Sequence, residues 1–281
     1  MMGSDHTALV EKNCLHSSLV ALARADITRD YLCIRAKNQH GLTNVKVNQL
    51  QMGIILYGQK QLNIPTKQLN LSAGDIVIMK PDTMIDAVNI PDQQTGEYLT
   101  ILVPICEEVI KAAHMIWAKP ITDKTEEILK FSIHDFSTQL SEWQSALFAN
   151  DWVKARLCIA SILVQLCQSN YADVLIVPPP KLSQMIHEWV LQDPQRHWQS
   201  RDVEMQLGMS GATLRRKLSH ENTSFRETVA HARLAYAIEL LYSSKLPMKT
   251  VAAKSGYQSV MTFRERFLQR YGIDPSVLSV E

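Results

Sequence analysis

No stretch of this sequence stays apolar for the roughly 18–20 residues that a bilayer-spanning helix needs, which argues against a helical membrane protein. Nor does the opening MMGSDHTALVEKN set a basic patch before an apolar run, so no signal peptide is read there. Cys14, Cys33, Cys106, Cys158 and Cys167 form no C-x-x-C pair and are odd in number. That suits reduced thiols in a cytoplasm better than a disulfide framework or a zinc site. Net charge is also scarce, a formal +1 over 281 residues. With 46% hydrophobic and 20% charged residues, what remains is a soluble globular chain long enough for two domains.

The small net charge conceals an asymmetry. Residues 1–180 carry 15 Lys and Arg against 18 Asp and Glu, whereas residues 181–281 carry 14 against 10. A basic tail behind an acidic front points to an anionic partner for the tail, although a solvated surface has the same statistics.

Three prolines, Pro178, Pro179 and Pro180, interrupt the chain between an apolar run and a new helical pattern. They cannot continue a helix and favour a stiff extended spacer, so the main boundary falls there, with a linker over 178–183. Ahead of it, from Tyr31 to Pro104, short β-like segments (YLCIRAK, LTNVKV, QMGIILYG, KQLNI, DIVIMK, YLTILVP) alternate with turn-prone ones. This spacing predicts a sandwich or barrel over 1–105. Residues 106–177 read as helical and form a candidate dimerisation segment. Within it, Asp151 caps WVKARLCIASILVQLCQ, whose apolar positions wrap much of the helix. Such a helix is buried either in its own domain or against its counterpart in a second subunit, and the second is favoured.

The most informative stretch is GMSGATLRRKLSHENTSF, residues 208–225. Ser200 is a candidate cap for a short helix, Gly208 supplies a turn, and Ser210 caps a second helix with Leu214 and Leu218 on one face. Helix, glycine turn and a helix with outward cations are the outline of a helix-turn-helix. About 48 residues on, the pattern returns. Val203 to Gly208 is echoed by Val251 to Gly256, and Leu214-Arg215 with Leu218 by Phe263-Arg264 with Phe267. Between the copies, a capping box at Ser224 and Glu227 opens a helix over 225–242. Eighteen residues at about 1.5 Å give roughly 27 Å. Neighbouring major-groove entries on one face of B-DNA lie about 34 Å apart, so a rod of this length suits two grips on one duplex.

Residues 181–281 resemble the DNA-binding domain of the AraC/XylS family of bacterial transcription regulators. The resemblance is carried by LGMSGATLRRKLSHENTSFRE, by ARLAYAIELL and by AAKSGYQSVMTFRERFLQRYGIDPS. It implies an AraC-type domain over 184–281 with two helix-turn-helix units. Carried over position by position, Ala212, Arg215 and Arg216 reach bases from the first unit and Val260, Met261 and Glu265 from the second. Arg can donate two hydrogen bonds to guanine. Glu265 departs from the family, which usually has Arg there. It either accepts from cytosine N4 or pairs with Arg264 or Arg266 and reads nothing. Arg201, Lys217, Lys249, Arg264 and Arg266 are the expected phosphate contacts. The first unit is therefore expected to carry most of the specificity.

The family commonly sets a cupin-like β-barrel ahead of this domain, and LNLSAGDIVIMKPDTMIDAV resembles the barrel signature at Ala73-Gly74-Asp75 and Pro81. The whole is then an α+β chain: a cupin-like barrel, a helical dimerisation segment and an all-α double helix-turn-helix. No histidine lies between Gly41 and Ile105, and His40 stands alone, so a two-histidine metal site fails on ligand count. No catalytic grouping, metal or cofactor is expected. Ile54, Leu56, Ile76 and Ile78 are candidate ligand-lining positions or plain core, because alternation does not say which face is inward. The resemblance implies a cytoplasmic, homodimeric regulator, usually an activator, with double-stranded DNA and RNA polymerase as partners and a possible small effector. Two alternatives stand beside it. One is a metal-independent cupin enzyme with a DNA-binding tail. The other is a ligand-free regulator whose front domain only binds protein.

Overall fold

The computed structural model describes residues 4–25, 31–122 and 124–278. The chain divides into two compact units, Met1–Pro178 and Pro179–Glu281. Among the described residues no helix is long and apolar enough to cross a membrane.

The N-terminal unit opens with helix α1 (Ser4–Arg24) and continues through eight strands: β1 (Leu32–Ala36), β2 (His40–Lys46), β3 (Gln51–Tyr57), β4 (Gln59–Ile64), β5 (Lys67–Ser72), β6 (Asp75–Met79), β7 (Met84–Ile90) and β8 (Tyr98–Pro104). Helix α2 (Glu107–Trp117), strand β9 (Ile128–Ser132) and helices α3 (Ser137–Phe148) and α4 (Trp152–Gln168) complete it. The strands form two antiparallel sheets, ordered β1-β8-β3-β6-β9 and β2-β7-β4-β5. The cupin-like region is thus a two-sheet arrangement. Gly58, the lone residue between β3 and β4, carries the chain from one sheet to the other at φ +77°. A Cβ there would lie 2.3 Å from the Ile90 carbonyl oxygen, so only glycine fits this corner.

Three expectations change here. First, residues 106–177 are not wholly helical. ILKFS, residues 128–132, forms β9 and pairs with β6 from Asp75↔Ser132 to Met79↔Ile128. A five-residue strand between helices leaves little periodicity to read. Second, α4 is capped as expected, Asp151 accepting from the Lys154 amide, but it finds its burial inside its own unit. Cys158, Ile159, Ile162, Leu163 and Leu166 join Leu19, Leu22 and Trp143 in one core. Val153 and Leu157 stay exposed, at 74% and 60%.

Third, the orientation of the sheet residues is settled. Ile54, Leu56, Ile76 and Ile78 belong to the cluster that packs against the helices, so they are core on the helical side. The opposite side of β3, β6 and their neighbour β8 carries Ile55, Val77, Tyr98 and Thr100. Tyr98 stands within 5.7 Å of the Lys60 ammonium. Lys60 donates to Asn89 Oδ1 at 2.7 Å, and Asn89 Nδ2 meets His40 Nε2 at 3.0 Å. Burial pushes Lys60 down to about 8. His40, expected to stand alone at an edge, is a buried member of this polar cluster. Elsewhere Asp173 accepts from Lys80 at 2.5 Å and from the Thr125 amide and hydroxyl at 2.8 Å each. That tie joins the end of β6 to the turn after α4.

In the C-terminal unit, helix begins at Leu182, one residue before the expected end of the linker. Its helices are α5 (Leu182–Gln192), α6 (Ser200–Leu207), α7 (Gly211–His220), α8 (Phe225–Ser243), α9 (Met248–Lys254) and α10 (Val260–Tyr271), before a 3-10 turn at Pro275–Leu278.

Candidate nucleic-acid interface

The two repeats are built alike. In the first, Gly208 ends α6 in the left-handed region at φ 60° and Ser210 Oγ accepts from the Thr213 amide. In the second, Gly256 sits at φ +79° and Ser259 Oγ accepts from the Thr262 amide. Each recognition helix thus starts with a serine cap three residues before a threonine. Four residues beyond each cap comes a buried anchor, Leu214 or Phe263, and four beyond that another, Leu218 or Phe267. Leu214 and Leu218 pack with Ile186, Val190, Val203 and Ala232. The second pair stacks edge-on in a ring ladder with Tyr257 and Tyr271.

These anchors fix what faces outward. Ala212, Arg215, Arg216 and Lys217 on α7 are exposed, as is Arg201 in the first turn of α6. On α10, Met261, Arg264, Glu265 and Arg266 are exposed and Val260 is half-buried; Lys249, on α9, is exposed. The Ser200 cap is corrected. Gln199 precedes α6 as its cap residue: its backbone carbonyl accepts from the Asp202 amide at 3.0 Å while the Asp202 carboxylate accepts from the Gln199 amide at 2.8 Å. Glutamine is an uncommon cap, so the adjacent serine drew the assignment.

Arg264, an expected phosphate contact, has an intramolecular partner. Its guanidinium forks onto Asp274, Nε to Oδ2 at 2.8 Å and the terminal nitrogen to Oδ1 at 2.9 Å. The hydrogen bond from Arg264 is the main reason Asp274 is held down at about 2. This intramolecular partner competes with the expected phosphate contact. It also leaves Glu265 without the Arg264 pairing considered for it.

A family model described as a helix-turn-helix domain matches residues 205–279. An uncharacterised HTH-type transcriptional regulator of Mycobacterium tuberculosis is 41% identical over 78 residues, 28% of this chain and 23% of that protein. The porin thermoregulatory protein EnvY of Escherichia coli is 35% identical over 83 residues, 30% of this chain and 33% of its own. Residues 205–279 of the C-terminal unit are thus similar to the helix-turn-helix domains of AraC/XylS regulators. The matches span about a quarter to a third of the length of these curated relatives. Among solved structures, an apo variant of ToxT from Vibrio cholerae superposes with a TM-score of 0.65 at 17% identity, over 89% of this chain and 96% of that one. At that identity the likeness is one of fold.

Two residues that hold the C-terminal unit together escaped the sequence. Glu221, just past α7, accepts from the Leu182 and Ser183 amides at 2.9 Å each and so closes the start of α5. Burial raises its pKa, but these hydrogen bonds outweigh that and the net shift is downward. Arg233, midway along α8, donates to the Pro194 and Arg196 carbonyls at 3.0 Å each. Pro194 in turn lies against Gly256, where a Cβ would come within 2.1 Å of its oxygen. Arg233 therefore braces the loop before α6 against the turn of the second repeat. Arg233 lies inside the ARLAYA segment; a lone glutamate at a helix exit gives no comparable signal.

Proposed function

We propose that the chain is a sequence-specific DNA-binding transcription regulator that works in the cytoplasm as a homodimer and acts chiefly as an activator through contact with RNA polymerase. The observation that carries this reading is the doubled unit. Two recognition helices have the same cap, turn glycine and anchor spacing, and both present polar or apolar side chains to solvent where base contacts are expected. The first offers Arg215 and Arg216, suited to guanine, with Ala212 suited to a thymine methyl. The second offers Met261 and Glu265, with Val260 beside them. Lys217, Lys249, Arg201 and Arg266 supply backbone contacts, which position the protein without reading sequence.

Dimerisation is assigned to the apolar side chains left exposed on the N-terminal unit. Met115 and Ile116 on α2 and Val153 and Leu157 on α4 support it. Control by a small effector falls to the same unit. Its Lys60, Asn89 and His40 provide a buried polar group between strands that otherwise bury aliphatic side chains. No catalytic role is assigned to any residue.

The test is selection of bound duplexes from a random pool with the full-length chain, repeated with Arg215→Ala/Arg216→Ala. A short enriched motif that the double variant no longer selects supports the reading. Retention of random sequence by both proteins overturns it.

A further inference from the structure

Within the C-terminal unit, a cleft of about 740 Å3 lies between the first turns of α8 and the side of α10. Arg226 and His231 come from α8, Thr262, Arg266 and Arg270 from α10, and Tyr257 from the turn of the second repeat. The lining carries one carboxylate, Glu227, which already accepts from Ser224 Oγ at 2.9 Å. Two atoms of lining residues, Tyr257 Oη and Arg270 Nε, are buried behind the cleft wall with no hydrogen-bond partner among the described residues. Leaving such groups unmet is costly, so a native cluster of them calls for an explanation.

The lining is rich in donors and short of acceptors. Arg226, Arg233, Arg266 and Arg270 bring fixed positive charge, and burial pushes the Tyr257 hydroxyl up to about 12, so it remains a donor. Burial and then the Arg270 charge push His231 down to about 4, so near neutrality it is an uncharged ring among arginines. An acceptor-only anion suits the exposed Arg226 and Arg266 guanidinium groups of this lining. Planar guanidinium groups with a tyrosine and a threonine hydroxyl match the oxygens of a phosphate.

We propose that this cleft receives a phosphate group. Its position suggests the source. At 100° per residue along α10, Thr262 and Arg266 directly follow Met261 and Glu265, so the cleft wall adjoins the expected reading face. The other wall, the start of α8, opens five residues after α7 ends at His220. A duplex gripped by both recognition helices would bring the strand between its two grooves to this cleft. That source rests on the DNA-binding reading above. A free phosphate or a phosphorylated small molecule has the same chemistry.

The experiment compares the full-length protein with Arg226→Gln/Arg266→Gln, both exposed positions, after thermal melting shows each to be folded. If the pair melts early, Arg226→Gln alone serves. Binding to a labelled mixed-sequence duplex is followed by anisotropy across a salt series. With a backbone phosphate in the cleft, affinity falls about tenfold and the log–log salt slope becomes shallower by about 0.9 for each phosphate that the variant leaves unneutralised. In a second arm, inorganic phosphate is titrated while the His231 ring is followed by NMR. An unchanged slope with a phosphate-induced rise in the His231 pKa, present in the parent and absent in the variant, assigns the site to free phosphate. An unchanged slope with no response to phosphate overturns the proposal, even where Arg215→Ala/Arg216→Ala still removes sequence selection. A parent that binds no duplex and gives no response to phosphate overturns it together with the DNA reading.

Discussion

The two repeats of the C-terminal unit share a scaffold and differ in what they display. Cap, threonine at the third position, anchors four apart and a left-handed glycine recur in both. The first packs aliphatic anchors and leaves two arginines without an intramolecular partner at 215 and 216 among the described residues. The second packs aromatic anchors, ties Arg264 to Asp274 and shows Met261 and Glu265. Framework and readout are therefore separable: the buried spacing makes the helix pair, and the exposed positions decide what the pair can recognise. Substitutions at matched positions should expose this division.

The largest contrast lies at the glycines. Both adopt positive φ, yet a Cβ at Gly208 meets nothing within 4 Å, while at Gly256 it would press on the Pro194 oxygen at 2.1 Å and the Arg233 guanidinium. Gly208→Ala should cost about 1 kcal/mol, the usual penalty for a left-handed non-glycine residue. Gly256→Ala should cost upwards of about 3 kcal/mol, since it also displaces the Arg233 brace. Urea melts of the two variants check this. Equal losses would mean that the Pro194 contact yields freely.

Next come the matched reading positions, Arg216 and Glu265. Arg216→Ala should lower specific affinity by about 1–3 kcal/mol. Glu265→Ala should change it by less than about 1 kcal/mol, because the second repeat is expected to supply mainly backbone contacts. Gel-shift titration at fixed salt against a selected duplex measures both. A larger loss at Glu265 would transfer base reading to the second repeat.

Much of this unit is legible in the sequence because its signals are local. Ser210, Ser224, Gly208 and Gly256 announce caps and turns within four residues of what they serve. The structure departs from the sequence reading where partners are distant or faces are equivalent. Glu221 serves amides 38 and 39 residues away, and Arg264 finds Asp274 ten residues on. In the N-terminal unit, β3 is buried on both faces, so alternation around Ile54 and Leu56 carried no direction. The same double burial hid the cluster at Lys60, since a lysine in KQLNI reads as solvent-facing until Tyr98 and Asn89 are found around it.

The smallest contrast concerns the Arg264 tie, which has no counterpart at Arg215. Asp274 has its folded pKa depressed to about 2, from 3.8, chiefly by the hydrogen bond from Arg264. A depressed carboxylate contributes stability that is present above its unfolded pKa and lost as pH falls through the folded value. The window is therefore pH 4 to 2. Because both side chains reach solvent, the contribution is small and salt-sensitive. Asp274→Asn should lower the melting temperature slightly at pH 7, and its difference from the parent should vanish below pH 2. The same substitution frees the Arg264 guanidinium beside the expected reading face. Binding to mixed-sequence duplexes should then tighten, by no more than about threefold, and steepen in salt dependence by one added phosphate contact. Weaker binding instead would show that the Asp274 fork positions α10 for DNA rather than withholding a cation from it.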